Sequence, residues 1–542
     1  MTRANRLLLS STLLVLFSQI SSAQAQTGMP PFGSFTGGPE VINLGNLNAH
    51  WTIPVRQRAG RGISLTYDLS YDSSIWYPVG VSGSQNWQPV TNWGWKGQTQ
   101  TALGYIFYGS TTTTQCLLDP GPPRQYGITI WYKNWSYVDE FGTGHDFGTF
   151  AVYDSDCYGT SSGSAVATDG SGYKINATGF PSAAVTPRGG GTINAPLQSP
   201  SGSGSKTDSN GNVISVSASS PETFTDTLGT TALTINGSAP NPVSYTYNNA
   251  AGTSVSVTIN YKAYTVKTNF GATGINEYGP TSVSLVDYVT LPNTKQYSFT
   301  YEQTPSTPSS GACTPLTGTY QGYCVTGRIA SVTLLTGGQI TYSYSGGSNG
   351  IFGDGSIATL TRTTPDGQWT YARTPGTGAA STTTITDPQN NQTVIQFQGI
   401  YETQRKAYQG SQTGTLLQTV NTCYNGSAIP CTDIAVTLPI SRRTVILQPD
   451  SGTLQSKTDT FYNSYGLVTE TDEYDFGSGA PPASPTRKTL ITYASLGNGI
   501  VDRPATITVC TASGSSSSCG GTGTQVAQTT FTYDEGTVTE SV

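Results

Sequence analysis

The side chains able to do chemistry in this chain are few and scattered. Gly159-Thr-Ser-Ser-Gly163 matches G-x-S-x-G, the pattern in which a strained turn presents a serine for nucleophilic attack. That use needs a strand before Ser161, a helix after it and a histidine to take its proton. The residues after it, Gly163-Ser-Ala-Val-Ala-Thr-Asp169, have no helical period, and in a chain with 64 glycines the match reads as coincidence. Asp139/Glu140 and Asp472/Glu473/Asp475 are the densest acids, and paired carboxylates are what glycoside hydrolysis requires. Neighbours along a strand point to opposite faces, however, so neither cluster makes a pair by itself. Asp154-Ser-Asp156 and Asp208-Ser-Asn-Gly-Asn212 offer oxygens of the kind calcium accepts, without the downstream bidentate glutamate of a calcium loop; they read as polar turns. His50 and His145 are the two histidines and no C-x-x-C occurs, so neither a metal nor a cofactor is expected.

Tryptophan is the stronger binding signal. Seven of the eight lie before residue 150, and Trp87, Trp93 and Trp95 sit in a Gly/Asn/Gln-rich stretch that could hold them out to stack on sugar rings. The competing use is a tryptophan-rich core, which the bulk of an indole favours. The eight cysteines form four couples close in sequence: Cys116/Cys157, Cys313/Cys324, Cys423/Cys431 and Cys510/Cys519. Neighbour pairing is the simplest of the many connectivities open to eight cysteines, and it implies an oxidising compartment.

The elements that must position these groups are strands. Val289–Tyr301 reads V-T-L-P-N-T-K-Q-Y-S-F-T-Y, and Val332–Tyr344 repeats its plan as V-T-L-L-T-G-G-Q-I-T-Y-S-Y. Each is a β-type run, a turn, and an alternating run that places Tyr297, Phe299 and Tyr301, or Ile340, Tyr342 and Tyr344, on one face. A hairpin with one apolar face must stack on others to hide it. Turns beginning with Asp recur: Asp139 to Gly142, Thr168-Asp-Gly-Ser-Gly172, Thr207-Asp-Ser-Asn-Gly-Asn212, Thr225-Asp-Thr-Leu-Gly229, Asp366-Gly367 and Asp387-Pro-Gln-Asn-Asn391. Aspartate can bond its own turn's amides, and a following Gly or Asn tolerates positive φ.

Composition agrees with an all-β chain of antiparallel hairpins. Hydrophobic residues are 35%, but charged residues only 10%, so the wet faces must be Ser, Thr, Asn and Gln. Net charge is −6 with no basic run, which excludes nucleic acid as a partner. Arg3 and Arg6, the apolar Leu7–Phe17 and the Ala23-Gln-Ala25 site mark residues 1–25 as a cleaved signal peptide, too short to span a bilayer. No later segment is apolar enough to cross a membrane. Domain organisation is expected as an aromatic-rich β region over 26–183, a Gly/Pro/Ser-rich loop or linker over 184–222, hairpins over 223–350 and more regular units over 351–542.

Those last units carry a resemblance. Tyr462-Asn-Ser-Tyr-Gly-Leu-Val-Thr-Glu470, followed by Glu473-Tyr474-Asp475, and Phe531-Thr-Tyr-Asp-Glu-Gly-Thr-Val-Thr539 share a Tyr-Asp/Asn-x-x-Gly-x-x-Thr plan that resembles the RHS, or YD-repeat, family of exported bacterial shell proteins. Tyr71-Asp72 followed by Asn92-Trp-Gly-Trp95 is similar to the aromatic segment that precedes the repeats in that family; Thr207–Asn212 and Leu291–Tyr297 are similar to its pre-repeat hairpins. Asn463 stands where the family has Asp, and the second unit is one residue short. The resemblance implies a curved, spiralling sheet that, with the rest of an RHS shell, encloses or presents a C-terminal toxin without catalytic residues of its own. It also implies that the repeat region is truncated at Val542, because the family's self-cleaving end has no counterpart. The alternative is a secreted or cell-surface protein that binds cell-surface polysaccharide through its N-terminal aromatics; a secreted glycoside hydrolase ranks last.

Overall fold

The computed structural model describes residues 27–96, 103–179, 182–305, 313–320, 322–511, 517–521 and 523–533. The signal peptide and the end of the second YD-like unit, from Asp534, lie outside the described residues. The described chain is all-β: strands joined by turns, two short 3-10 segments and no α-helix. Twenty-six strands, from Gly163–Val166 to Gln525–Thr530, pair in chain order in one long sheet that skips only Ile275–Asn276. Every neighbouring pair in that order is antiparallel; a single parallel contact, Val266 with Val325, is added.

The two copies noted in the sequence build adjacent hairpins with the same register. Val289 pairs with Tyr297 and Thr290 with Gln296; Val332 pairs with Ile340 and Thr333 with Gln339. The second strand of the first copy then pairs with the first strand of the second, Phe299 opposite Val332. Phe299, Tyr301, Val332 and Ile340 are all buried, as period-two alternation requires once the hairpins lie side by side.

One turn chemistry repeats along the chain. Asp139, Asp208, Asp226 and Asp387 each accept the backbone N–H groups of the residues two and four further on, at 2.8–3.0 Å. Asn249 and Asn463 do the same, so the asparagine in the Tyr462 unit performs the bond that aspartate makes elsewhere. In all six turns the fourth residue has positive φ and is Gly, or Asn at position 390.

Three smaller sheets accompany the long one. Phe35–Gly37, Val41–Asn43, Ala49–Arg58, Leu65–Asp72 and Trp95–Lys96 form an N-terminal sheet in that order. Tyr105–Asp119 and Gln125–Val138 make a long hairpin joined by three short strands, and Trp76–Val81 with Ser84–Pro89 takes Ile275–Asn276 along its edge. One continuous core joins residues of all these sheets, from Ile42 to Phe397.

The 184–222 segment is no linker. It contributes Thr192–Asn194, Gly204–Thr207 and Val213–Ser217 to the long sheet, with Ile193, Ile214 and Val216 buried. Most of its Gly, Pro and Ser residues occupy the connections between unusually short strands, which dilutes the apolar alternation a longer strand displays. The long sheet likewise begins within 26–183, at Gly163, so the sheets cross the compositional boundaries.

Distant parts of the long sheet meet. Gly189 pairs with Ile500 in an antiparallel bridge, Val501 N donates to Arg188 O (2.9 Å), and Gly191 N donates to Asn498 O (3.2 Å). The Arg188 guanidinium donates to Gly170 O. At Gly466 a Cβ would come within 2.1 Å of that same carbonyl, so only glycine allows the two turns to touch.

Candidate functional site

The densest set of specific polar contacts lies where the N-terminal sheet covers the long one. Alternation along Ala49–Arg58 and Leu65–Asp72 sends Trp51, Ile53, Tyr67, Leu69 and Tyr71 inward. Trp51 Nε1 donates to Tyr342 Oη (3.0 Å), which donates to Glu40 Oε1 (2.8 Å). Arg362, opposite Tyr342 in the ladder, gives its Nε to the same carboxylate oxygen. Further along, Tyr71 Oη accepts from Ile329 N and Thr383 Oγ1 donates to Leu44 O, at 2.7–3.0 Å, while Trp76 Nε1, on the small three-stranded sheet, donates to Thr326 O (3.0 Å). Tyr67 meets the rings of Phe224 and Tyr245 at 5.0 and 5.7 Å, and Trp95 meets Phe299 at 4.9 Å. The N-terminal sheet is thus fastened to strands spread from Glu222–Thr225 to Ala380–Thr386.

Buried charges in this region are matched. Arg328 makes a bidentate pair with Glu302 (2.7 and 2.9 Å), donates to Gly350 O (3.0 Å), and lies over the Tyr344 ring at 4.1 Å. Asp72 receives Lys96 Nζ at 2.5 Å, Asn48 Nδ2 at 2.6 Å and the His50 ring at 3.0 Å. Burial pushes the Asp72 pKa up, but the Lys96 and His50 charges outweigh it and hold the carboxyl well below its ordinary range. His145 lies between Asp169 (2.6 Å) and Asp139 (3.3 Å); burial opposes its charge, yet the hydrogen bonds its ring donates to both carboxylates raise its pKa to about 9. These groups cross-link elements. Each histidine ring is engaged by carboxylates, and Ser161 is bonded elsewhere.

The sequence-named residues fall out as follows. Ser161 Oγ accepts from Tyr153 N (2.7 Å) and closes a hairpin; a strand, Gly163–Val166, follows it where a nucleophile elbow has a helix. Asp139 serves its turn and His145, while Glu140 takes Lys206 at 3.2 Å. Asp208 accepts from its own turn, as a polar turn does, whereas Asp154 lies within the strand Ala151–Ser155 and Asp156 accepts across strands from Ile128 N. Asp472 and Glu473 face opposite ways, toward Lys488 and Arg487. The four cysteine couples are bonded as neighbours, Cys116–Cys157, Cys313–Cys324, Cys423–Cys431 and Cys510–Cys519, with Cα separations of 5.6–6.2 Å.

The tryptophan platform needs correction. Trp87 and Trp95 are each 1% exposed, and Trp93 is half-buried against Trp76 and Tyr278 at 5.7 and 5.9 Å. Trp87 packs edge-on against Phe270 at 5.5 Å. Their polar sequence neighbours occupy turns and strand edges, while the rings fill the space between sheets, where a large apolar surface gains most by leaving water. Sequence reasoning overlooked Glu40, Glu302, Arg328 and Arg362. The available signal was a lone charge at an inward-facing position, Arg328 in V-T-G-R-I-A-S-V-T and Arg362 in T-L-T-R-T-T, within a chain that is only 10% charged.

No protein-family model matches the chain, and no curated protein matches it in sequence. Among solved structures, a porin-like protein from Bacteroides uniformis is 11% identical over 51% of this chain and 85% of its own, with a TM-score of 0.16. A variant of the NanB sialidase from Streptococcus pneumoniae is 12% identical over 90% and 89%, with a TM-score of 0.11. At such scores neither likeness bears on fold or activity. Four disulfides accord with an oxidising, extracellular setting, and no helix among the described residues is long and apolar enough to cross a membrane.

Proposed function

We propose that this chain is a wall segment of an exported, RHS-like β-shell whose role is to enclose or present a polypeptide cargo, with no catalysis of its own. The observation that carries this reading is the single sheet of 26 strands in chain order, with one face covered by the N-terminal sheet. Successive backbone pairing extends such a wall without limit, and the contacts of Gly189 with Ile500 and Gly170 with Gly466 support its curving back on itself. The N-terminal sheet then acts as a plug, and its tryptophans and buried ion pairs hold it in place. The Tyr462 unit, with its Asn-capped turn, supports the family resemblance at the level of hairpin construction. The test is a protease-sensitive, unstructured reporter fused after Val542. Enclosure predicts that the reporter resists proteinase K in the folded chain and is cut once the chain is unfolded. Digestion at the rate of the free reporter refutes enclosure.

A further inference from the structure

Away from the plug, a cavity of about 490 Å³ opens on the long sheet, lined by Asn425, Ser441, Arg442, Phe461, Tyr462 and Glu470, among others. Arg442, Phe461 and Glu470 are directly opposite one another on three successive strands, Arg442–Pro449, Leu454–Tyr462 and Val468–Ser478. They therefore form a straight row on one face: a guanidinium, a phenyl ring and a carboxylate, with about 10 Å between the outer Cα atoms. Arg442 leans over one side of the ring, 5.2 Å from its centre.

The wall beside this row is closely hydrogen-bonded. Asn425 Oδ1 accepts from Ser441 N (2.8 Å) and Arg442 N (3.3 Å), while its Nδ2 donates to Thr437 O (2.8 Å) and Pro439 O (3.3 Å). The Cys423–Cys431 bridge closes part of the same connection. The charges at both ends are already balanced. Asp459 holds Arg442 through Nε (3.2 Å) and Nη2 (2.8 Å), and Lys488 holds Glu470 Oε1 at 2.7 Å. What lines the cavity is the Arg442 guanidinium, whose Nη1 lies near Gly426, and the Glu470 carboxylate, which shares Lys488 with Asp472. A donor at one end, an acceptor at the other, an aromatic floor between them and no net charge to neutralise fit a ring that carries hydroxyls on both edges and C–H bonds on its face.

We propose that this cavity binds a neutral saccharide, its ring over Phe461, one hydroxyl donating to Glu470 and another accepting from Arg442. The site is separate from the N-terminal tryptophans and independent of whether the wall encloses a cargo. Saturation-transfer NMR on the native chain with the methyl glycosides of glucose, galactose and N-acetylglucosamine tests it. Glu470→Gln weakens the acceptor, and Thr469→Tyr, at the cavity edge, fills the space; thermal melting checks that both variants fold. The expected result is transfer to at least one glycoside with millimolar affinity, weakened at least tenfold in both variants at unchanged melting temperature. Absence of transfer to all three glycosides, transfer that both folded variants retain, or tighter binding of acetate or methylammonium than of any glycoside each overturns the proposal.

Discussion

Replacing Glu40 with Gln examines how the N-terminal sheet is held. The carboxylate is fully buried, and Arg362, which it pairs, is 10% exposed in its side chain. The variant keeps the shape of the residue and an oxygen for Tyr342, but leaves a guanidinium with little water and no counter-charge. Removing one partner of a buried pair costs about 3–5 kcal/mol. Replacing both, Glu40→Leu with Arg362→Met, removes the stranded charge and is expected to cost far less, about 1–2 kcal/mol, because Tyr342 Oη then lacks its acceptor. A chain of this size need not unfold in one step, so a local readout is preferable to a single melting curve. Hydrogen exchange in peptides covering Ala49–Arg58 and Leu65–Asp72 reports opening of the plug directly. The single variant should exchange there on the order of a hundred- to a thousand-fold faster, while strands near Arg487–Tyr493 are unaffected. A single variant within about 1 kcal/mol of the native chain, or a double variant as damaged as the single, would show that this pair does not fasten the sheets.

Other outcomes follow from the same geometry. His145 has a folded pKa raised to about 9, so its stabilisation is complete below its unfolded value near 6.5 and is lost as pH rises through about 9. The melting advantage of the native chain over His145→Gln, on the order of 3 kcal/mol at pH 6, should shrink toward pH 10; a pH-independent difference contradicts the ion pairs with Asp139 and Asp169. Cys116–Cys157 spans 41 positions and Cys423–Cys431 spans 8. Loop entropy puts their removal by serine at about 4 and about 2.5 kcal/mol, so denaturant midpoints should fall further for the first pair. Trp95→Ala should cost about 3–5 kcal/mol and disturb the Phe299 contact. Fluorescence from Trp87 and Trp95 should resist both acrylamide and added cell-wall polysaccharide, and quenching of those two rings by polysaccharide speaks for an exposed platform.

Much of this protein is decided locally, and so was legible in one dimension. Alternation in Val289–Tyr301 and Val332–Tyr344 specifies two strands and a buried face, because period two is a property of the extended backbone itself. The Asp-x-x-Gly turns are equally self-contained, since the carboxylate, the two amides it receives and the positive-φ glycine lie within five residues. The short separations within three of the cysteine couples made neighbour pairing the economical reading, and the folded chain has all four bonds.

What tertiary structure alone decided is which faces look at each other. Trp87, Trp93 and Trp95 have the same neighbours in sequence whether they point to water or to Phe270, Tyr278 and Phe299, and only the packing of the N-terminal sheet and of the small three-stranded sheet on the rest of the chain chooses. Glu40 and Arg362 lie more than three hundred positions apart, as do Gly189 and Ile500, so no local pattern links them. The row of Arg442, Phe461 and Glu470 depends on register across three strands. A one-residue slip in either ladder would send one member to the other face, and hydrogen bonding between strands, fixed by the turns and the buried side chains, is what sets that register.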